Sequence, residues 1–338
     1  MANTGNITVT ERDMNPLSPT YDTTRTRTYQ DYMRCIPDGY KLYWEKSNTS
    51  GYVACNQSST ISESTTSGLG VDSFIKASIG RCVTVLGTRT FNAGQRLQEV
   101  FIPDTVVSIG EAAFWGCIKL KELNIPSSVT RIGQDAFGNC KGLTSIVIPD
   151  SVTYLGPTSL FACDHLESIT IGSGITQILS HTFENCEALP TITIPNTVTS
   201  LGNYAFSECY SLASVNLGTG VTSIGEQCFI YCRQLASIDI PNQVTYIGPA
   251  AFQLCSRLTS VTIGTGITEI DDYAFQVTGN TLQSITIKAT TPPTLGEDVF
   301  ALSNNCPIYV PAASVQVYKT AWNYSKHDYA SRIQAIPA

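Results

Sequence analysis

The sequence predicts a repeat solenoid: a stack of short parallel β-strands, one short helical turn per repeat, and a cap at each end. Three columns carry that prediction. Leucines recur every 23 residues, at positions 97, 120, 143, 166, 189, 212, 235 and 258. A ring column runs in register with them: Phe114, Phe137, Phe183, Phe206, Phe229, Phe252 and Phe275, with Leu160 as the one substitute. A thiol column follows: Cys117, Cys140, Cys163, Cys186, Cys209, Cys232 and Cys255. A fixed period of this length, held over eight copies, marks an array in which each repeat is one supersecondary unit.

The copy beginning at Leu120 shows how each piece arises. Leu123 and Ile125 alternate with polar residues, so both point to one face of a strand. Pro126 ends that strand because it has no N–H to give to a ladder. Val129-Thr130-Arg131-Ile132 is a second short, β-branched, extended piece. Gly133 permits a bend. Ala136, Phe137 and Cys140 stand at i, i+1 and i+4, a spacing that fits about one helical turn facing inward. A single copy buries too few side chains to offset the entropy of ordering its backbone. Stacked copies share each anchor with two neighbours, so the fold closes only as an array.

The phrase L-x-x-I-x-I-P-x-x-V-T-x-I-G-x-x-A-F-x-x-C resembles the leucine-rich repeat superfamily and, more narrowly, the BspA-type repeats of bacterial and protist surface proteins. The resemblance covers residue 74 to about residue 300, with seven columns in register. It implies a non-enzymatic binding or adhesion scaffold and names no ligand.

Four segments follow in order. Residues 1–66 are a polar arm, rich in Ser and Thr, with a hairpin expected near 40–55 between Tyr40-Lys-Leu-Tyr-Trp44 and Tyr52-Val-Ala-Cys55. Such an arm needs something to hold it: its own solenoid, a sister chain or a larger assembly. Residues 67–96 are a linker, begun at Ser58, and an N-terminal capping repeat in which Phe91 keeps register and Gly94 replaces the column cysteine. Residues 97–280 hold the eight repeats. Residues 281–338 are a degenerate repeat and a C-terminal cap, with a helix expected over 312–324 that places Val315, Tyr318 and Trp322 on one face. Within the array, Ile-Pro copies interleave with Gly-x-Gly copies at 172–174, 218–220 and 264–266. No useful helix follows these glycines, so they are turn residues and not a phosphate loop.

Composition excludes several function classes. The net charge of −7 argues against nucleic acid, which needs a basic stripe. No apolar run reaches the length of about 18 residues that a membrane helix needs. No apolar segment follows Met1, so no secretory signal is visible in this chain. The column cysteines are expected to be buried thiols serving as small hydrophobes, and Cys35 and Cys55 are a candidate disulfide pair. No Cys-x-x-Cys pair or Cys/His cluster suggests a metal, and no cofactor is implied. His165, His181 and His327 share no column, and nothing on a solenoid would assemble a Ser/His/Asp triad. An enzyme is therefore not expected.

What remains is surface. The second strand carries a threonine ladder, Thr130 to Thr268, which offers a flat hydroxyl face for a protein or glycan. Beside it one row varies while its neighbours do not: Ser108, Arg131, Tyr154, Gln177, Ser200, Ser223, Tyr246 and Glu269. Exposed Tyr and Arg are favoured at contact centres. Arg131, Tyr154, Gln177, Tyr246 and Glu269, together with Trp115, form the candidate contact surface. The expected role is a recognition or adhesion scaffold, extracellular or surface-displayed, for a host-surface protein or glycan. The alternative is a structural or host-attachment component of a virion or other large assembly, anchored by residues 1–66.

Overall fold

In the computed structural model, which describes residues 6–9, 25–28, 40–47, 49–54, 59–276, 281–301, 306–323 and 329–337, each repeat is one rung. A rung consists of a first strand, a second strand and a closing turn. Successive rungs pair in parallel one repeat apart, as Ile146 opposite Ile169 and Ile224 opposite Ile247. The two-residue alternation holds: Ile146 and Ile148 are buried, while Val147 between them is 57% exposed.

The interior is the ring column made continuous. Phe91, Phe114, Phe137, Leu160 and every later ring position to Phe275 are fully buried. Neighbouring rings stack, for example Phe206 on Phe229 at 5.1 Å and Phe252 on Phe275 at 5.0 Å between centroids. Phe300 extends the stack at 5.8 Å. The thiols are buried and free. Each donates its S–H to the carbonyl of the ring residue one rung back, as Cys140 to Phe114 (3.1 Å), Cys232 to Phe206 (3.2 Å) and Cys186 to Leu160 (3.4 Å). Burial pushes Cys117, Cys209 and Cys255 up to about 12.

The predicted helical turn is not there. In its place each rung makes consecutive tight turns, with two residues in the left-handed region: Asp135 (φ 55°) and Asn139 (φ 57°) in one rung, Tyr204 (58°) and Glu208 (59°) in another. Such residues cost about 1–2 kcal/mol each. The compensation is hydrogen bonding between rungs: Asp135 N–H reaches Pro157 O (3.1 Å), Phe137 N–H reaches Ser159 O (2.8 Å) and Asn139 N–H reaches Phe161 O (2.6 Å). A one-turn helix would leave those donors without partners. The i, i+1, i+4 spacing puts the same side chains inward in either geometry, so the spacing did not discriminate.

The interleaved Pro and Gly-x-Gly copies do more than turn the chain. A Cβ at Gly172 would lie 2.4 Å from Pro149, and one at Gly174 would lie 2.2 Å from the Asp150 carbonyl. The glycines therefore let one rung settle onto the Pro-Asx turn before it. Asp150 then accepts the N–H of Ser173 (2.7 Å), as Asn196 does from Thr219 (3.0 Å) and Asn242 from Thr265 (3.1 Å). The first-strand ladder stops before the rungs carrying Pro126, Pro195 and Pro241. A proline there has no N–H to donate, whereas Gly264 at the same column donates to Ile240 O (2.9 Å). The ladder nevertheless continues into the rungs of Pro103 and Pro149, so the missing N–H weakens the joint without by itself ending it.

Both ends are sealed. Tyr40–Glu45 pairs with Ser50–Ala54 as a hairpin and, on its other edge, antiparallel with Lys76–Ile79 of the capping repeat. Trp44 stacks on Phe74 (5.5 Å). The stretch read as a linker from Ser58 contributes a strand instead: Thr60–Ile61 pairs with Val85–Leu86, and buried Thr66 donates to Thr90 O (2.7 Å). Its Ser/Thr content is that of a rung surface, which composition alone does not separate from a linker. Cys82 is disulfide-bonded; the Cys35–Cys55 pairing lies outside the described residues. At the other end the helix is shorter than expected, Val315–Ala321. Tyr318 donates to Ala289 O (2.9 Å) and Trp322 to Pro293 O (3.2 Å), closing the last rung.

Candidate recognition surface

The varying row forms two runs along the second strands, Ser108 to Tyr154 and Gln177 to Thr294, and within each run every member sits opposite the next. Ser108, Arg131 and Tyr154 are cross-strand partners, as are Gln177, Ser200, Ser223, Tyr246, Glu269 and Thr294. Arg131, Gln177 and Glu269 are exposed, and the two tyrosines are half-buried. The Arg131 guanidinium lies 3.8 Å from the Tyr154 ring centroid, a cation–π contact.

The line is interrupted once. Among the described residues no backbone bond joins the Tyr154 rung to the Gln177 rung along this strand. The column after the second strand is glycine in most rungs because rungs approach closely there: a Cβ at Gly202 would lie 2.5 Å from Ser180 N. Leu179 stands in that column. Asp271 does too, yet its N–H still bonds to Ile247 O (2.9 Å). A Cβ alone therefore does not open the ladder; Leu179 differs from Asp271 in its apolar side chain, which cannot accept a backbone N–H as Asp271 does from Asp272 (2.8 Å). Five of the six sequence candidates thus fall into three groups: Arg131 with Tyr154, Gln177 beyond the seam, and Tyr246 beside Glu269.

Trp115 belongs to none of them. It lies on the closing turn, flat against Gly138, where an added Cβ would come within 2.2 Å of the indole. It runs parallel to Phe161 at 6.3 Å. Trp115 fills the space of a missing side chain.

The threonine ladder is also committed to structure. Thr222 donates its hydroxyl to Thr199 O (2.9 Å) and Thr268 to Thr245 O (2.8 Å), doubling the backbone bond to the same carbonyl. Those hydroxyls have spent their donor on the rung before.

A set of pairings escaped the sequence analysis. Tyr246 donates to Asp271 (2.9 Å), Tyr273 to Glu297 (3.1 Å) and Tyr204 to Glu226 (3.5 Å), each across one rung. His181 stacks on Tyr204 (4.9 Å) and bonds Glu184 (2.6 Å). The signal was present as a tyrosine followed 22 to 25 residues later by an acid, but partners in different columns do not stand out in an alignment of copies. The Tyr246 phenol is pushed up to about 12, by burial first, then by its bond to Asp271 and the charges of Asp271, Glu269 and Glu226.

Charge is uneven along the rod. Residues 176–301 hold ten acidic and three basic residues, against ten and eight in 59–175. Two of those three cations are engaged elsewhere, Arg233 over Tyr210 (5.0 Å) and Tyr231 (5.5 Å), and Arg257 on Gln234 (2.6 Å).

The BspA-type leucine-rich repeat model matches residues 69–189 and 176–307, in six copies. The chain belongs to that family. Solved structures of leucine-rich repeat proteins are similar to it in fold. A leucine-rich cell surface protein from Faecalibacterium prausnitzii is 23% identical, with a TM-score of 0.50, over 89% of this chain and 94% of that one. A leucine-rich repeat protein from Bacteroides ovatus is 20% identical, with a TM-score of 0.40, over 87% and 90%. No curated protein matches.

Among the described residues of this BspA-type chain, no group of three His, Cys, Asp or Glu side chains could hold a metal ion, and no helix is long and apolar enough to cross a membrane. The row offers ring faces, carboxylates and one guanidinium on a rigid frame. That chemistry suits contact.

Proposed function

We propose that the protein is a non-enzymatic recognition scaffold, displayed at a cell surface, that holds a host-surface protein or glycan against the outer face of its second strands. The observation that carries the reading is the row itself: Arg131, Tyr154, Gln177, Tyr246 and Glu269 vary on a frame whose inward columns repeat. Tyr and Arg are the residues most enriched among energetic anchors of interfaces. The surface location draws on the family and on the resemblance to a protein described as cell-surface. The spent threonine hydroxyls favour a protein over a glycan. The alternative, anchorage in a virion or other assembly through residues 1–66, has less support, because Tyr40–Glu45 is already held by the chain's own sheet.

The test is an array of host matrix proteins, mucins and glycans probed with the intact chain. Binding should appear and should fall about tenfold in Arg131→Ala/Tyr154→Ala, as expected for loss of a contact centre. No binding above a control with the whole row changed to serine would overturn the proposal.

A further inference from the structure

Two places on the second-strand face share one ring but not its occupant. In the N-terminal part, Arg131 stands one rung before Tyr154 and lays its guanidinium on the ring at 3.8 Å. Farther along, Ser223 stands one rung before Tyr246 in the same row. There the ring is present and, among the described residues, no cation lies over it. The Tyr246 hydroxyl is fixed by Asp271 (2.9 Å), which holds the ring in place. Glu269 is the next residue in the row, and Glu226 and Asp271 are near enough for their charges to act on the phenol. Among the described residues, none of Glu226, Glu269 and Asp271 has a Lys or Arg within ion-pair distance.

We infer that the sheet face around Ser223 and Tyr246 is the docking place for an arginine-bearing segment of a protein partner, whose guanidinium lies on the Tyr246 ring as Arg131 lies on Tyr154. Glu226, Glu269 and Asp271 surround that position and supply the opposite charge. Three features point to arginine. The molecule's own precedent is a guanidinium. A planar cation stacks on a phenol ring while its N–H groups reach carboxylates at the ring's edge. The acidic excess of residues 176–301 steers a cationic partner to this part of the rod and away from the more balanced part. The inference rests on the recognition reading and adds the partner chemistry to it.

Fluorescein-labelled hexa-arginine, titrated by anisotropy against the full chain at low salt, is the probe, with hexa-glutamate as the opposite charge. Ser223→Arg would seat the chain's own guanidinium on Tyr246. Ser168→Arg adds the same charge on the exposed first-strand face, away from the row. Hexa-arginine should bind, hexa-glutamate should not, and Ser223→Arg should weaken binding about tenfold, while Ser168→Arg changes it by about twofold or less. Tyr246→Leu, which keeps bulk and removes the ring's charge distribution, should also weaken binding, by about fivefold. Equal losses in Ser223→Arg and Ser168→Arg would mean diffuse charge attraction and would overturn the site, as would full binding by Tyr246→Leu. The two proposals separate cleanly. Array partners whose binding survives Ser223→Arg would remove this site and leave the scaffold reading. Ser223-dependent hexa-arginine binding without any array partner would do the reverse.

Discussion

Along the closing turns, Phe137, Leu160, Phe183 and Phe206 each donate an N–H to the next rung without a break. The first-strand ladder, by contrast, stops before the rungs of Pro126, Pro195 and Pro241, and the second-strand ladder stops between Tyr154 and Gln177. The same rungs are thus joined firmly on one side and intermittently on two. The difference teaches where register comes from. It is set by the turns, the stacked rings and the thiols behind them. The strands inherit that register, so they can lose bonds and vary their outward residues without losing the fold. A surface that is free to vary on a fixed frame is what the proposed recognition role needs.

The largest predicted effect tests the thiols. Their folded ionisation is raised, to about 12 for Cys117, Cys209 and Cys255 against 9.0 for an ordinary thiol. A raised folded value means that the contribution is whole below about pH 9 and is lost as pH climbs toward 12. Each column thiol should then cost roughly 1.4 kcal/mol per pH unit in that window. Seven acting together should unfold the solenoid steeply, with no comparable change between pH 6 and 8. Urea melts followed by circular dichroism across this range check it; a flat stability to pH 11 would show that the thiols are not sealed in.

Next comes a contrast between interior and row. Phe206→Ala should cost about 3–5 kcal/mol by opening a cavity between two stacked rings. Tyr246→Ala on the outward row should cost about 1 kcal/mol or less. Equal shifts in the urea midpoint would erase the distinction between frame and face. The smallest effect sharpens the seam. Leu179→Gly should let the two rungs close, so that the Thr176 amide exchanges about tenfold more slowly, as one recovered backbone bond implies. Unchanged exchange would mean that something other than Leu179 keeps the ladder open.

The columns made the stack legible from sequence, because Leu, Phe and Cys at a 23-residue period can be buried together only by piling the copies. The closing turn was misread because Ala136, Phe137 and Cys140 face inward whether the backbone is helical or folded into left-handed turns. Residues 58–70 were misread because a rung surface and a linker share a Ser/Thr composition. The seam was hidden in one ordinary-looking leucine. The alignment of the varying row was legible, since a column that varies between constant neighbours stands out. The packing of Trp115 was not legible because the glycine it covers lies one rung away, and the Tyr246–Asp271 bond was missed because its partners belong to different columns.

Amide hydrogen exchange over the whole solenoid tests the central claim most directly. The account predicts unbroken protection for the amides of Phe137, Leu160, Phe183, Phe206 and Phe229, with fast exchange at Thr176 and Leu179 in their midst. Fast exchange at Leu160 and Phe183 alongside protected Thr176 and Leu179 would contradict it, because register would then be held by the strands and not by the turns.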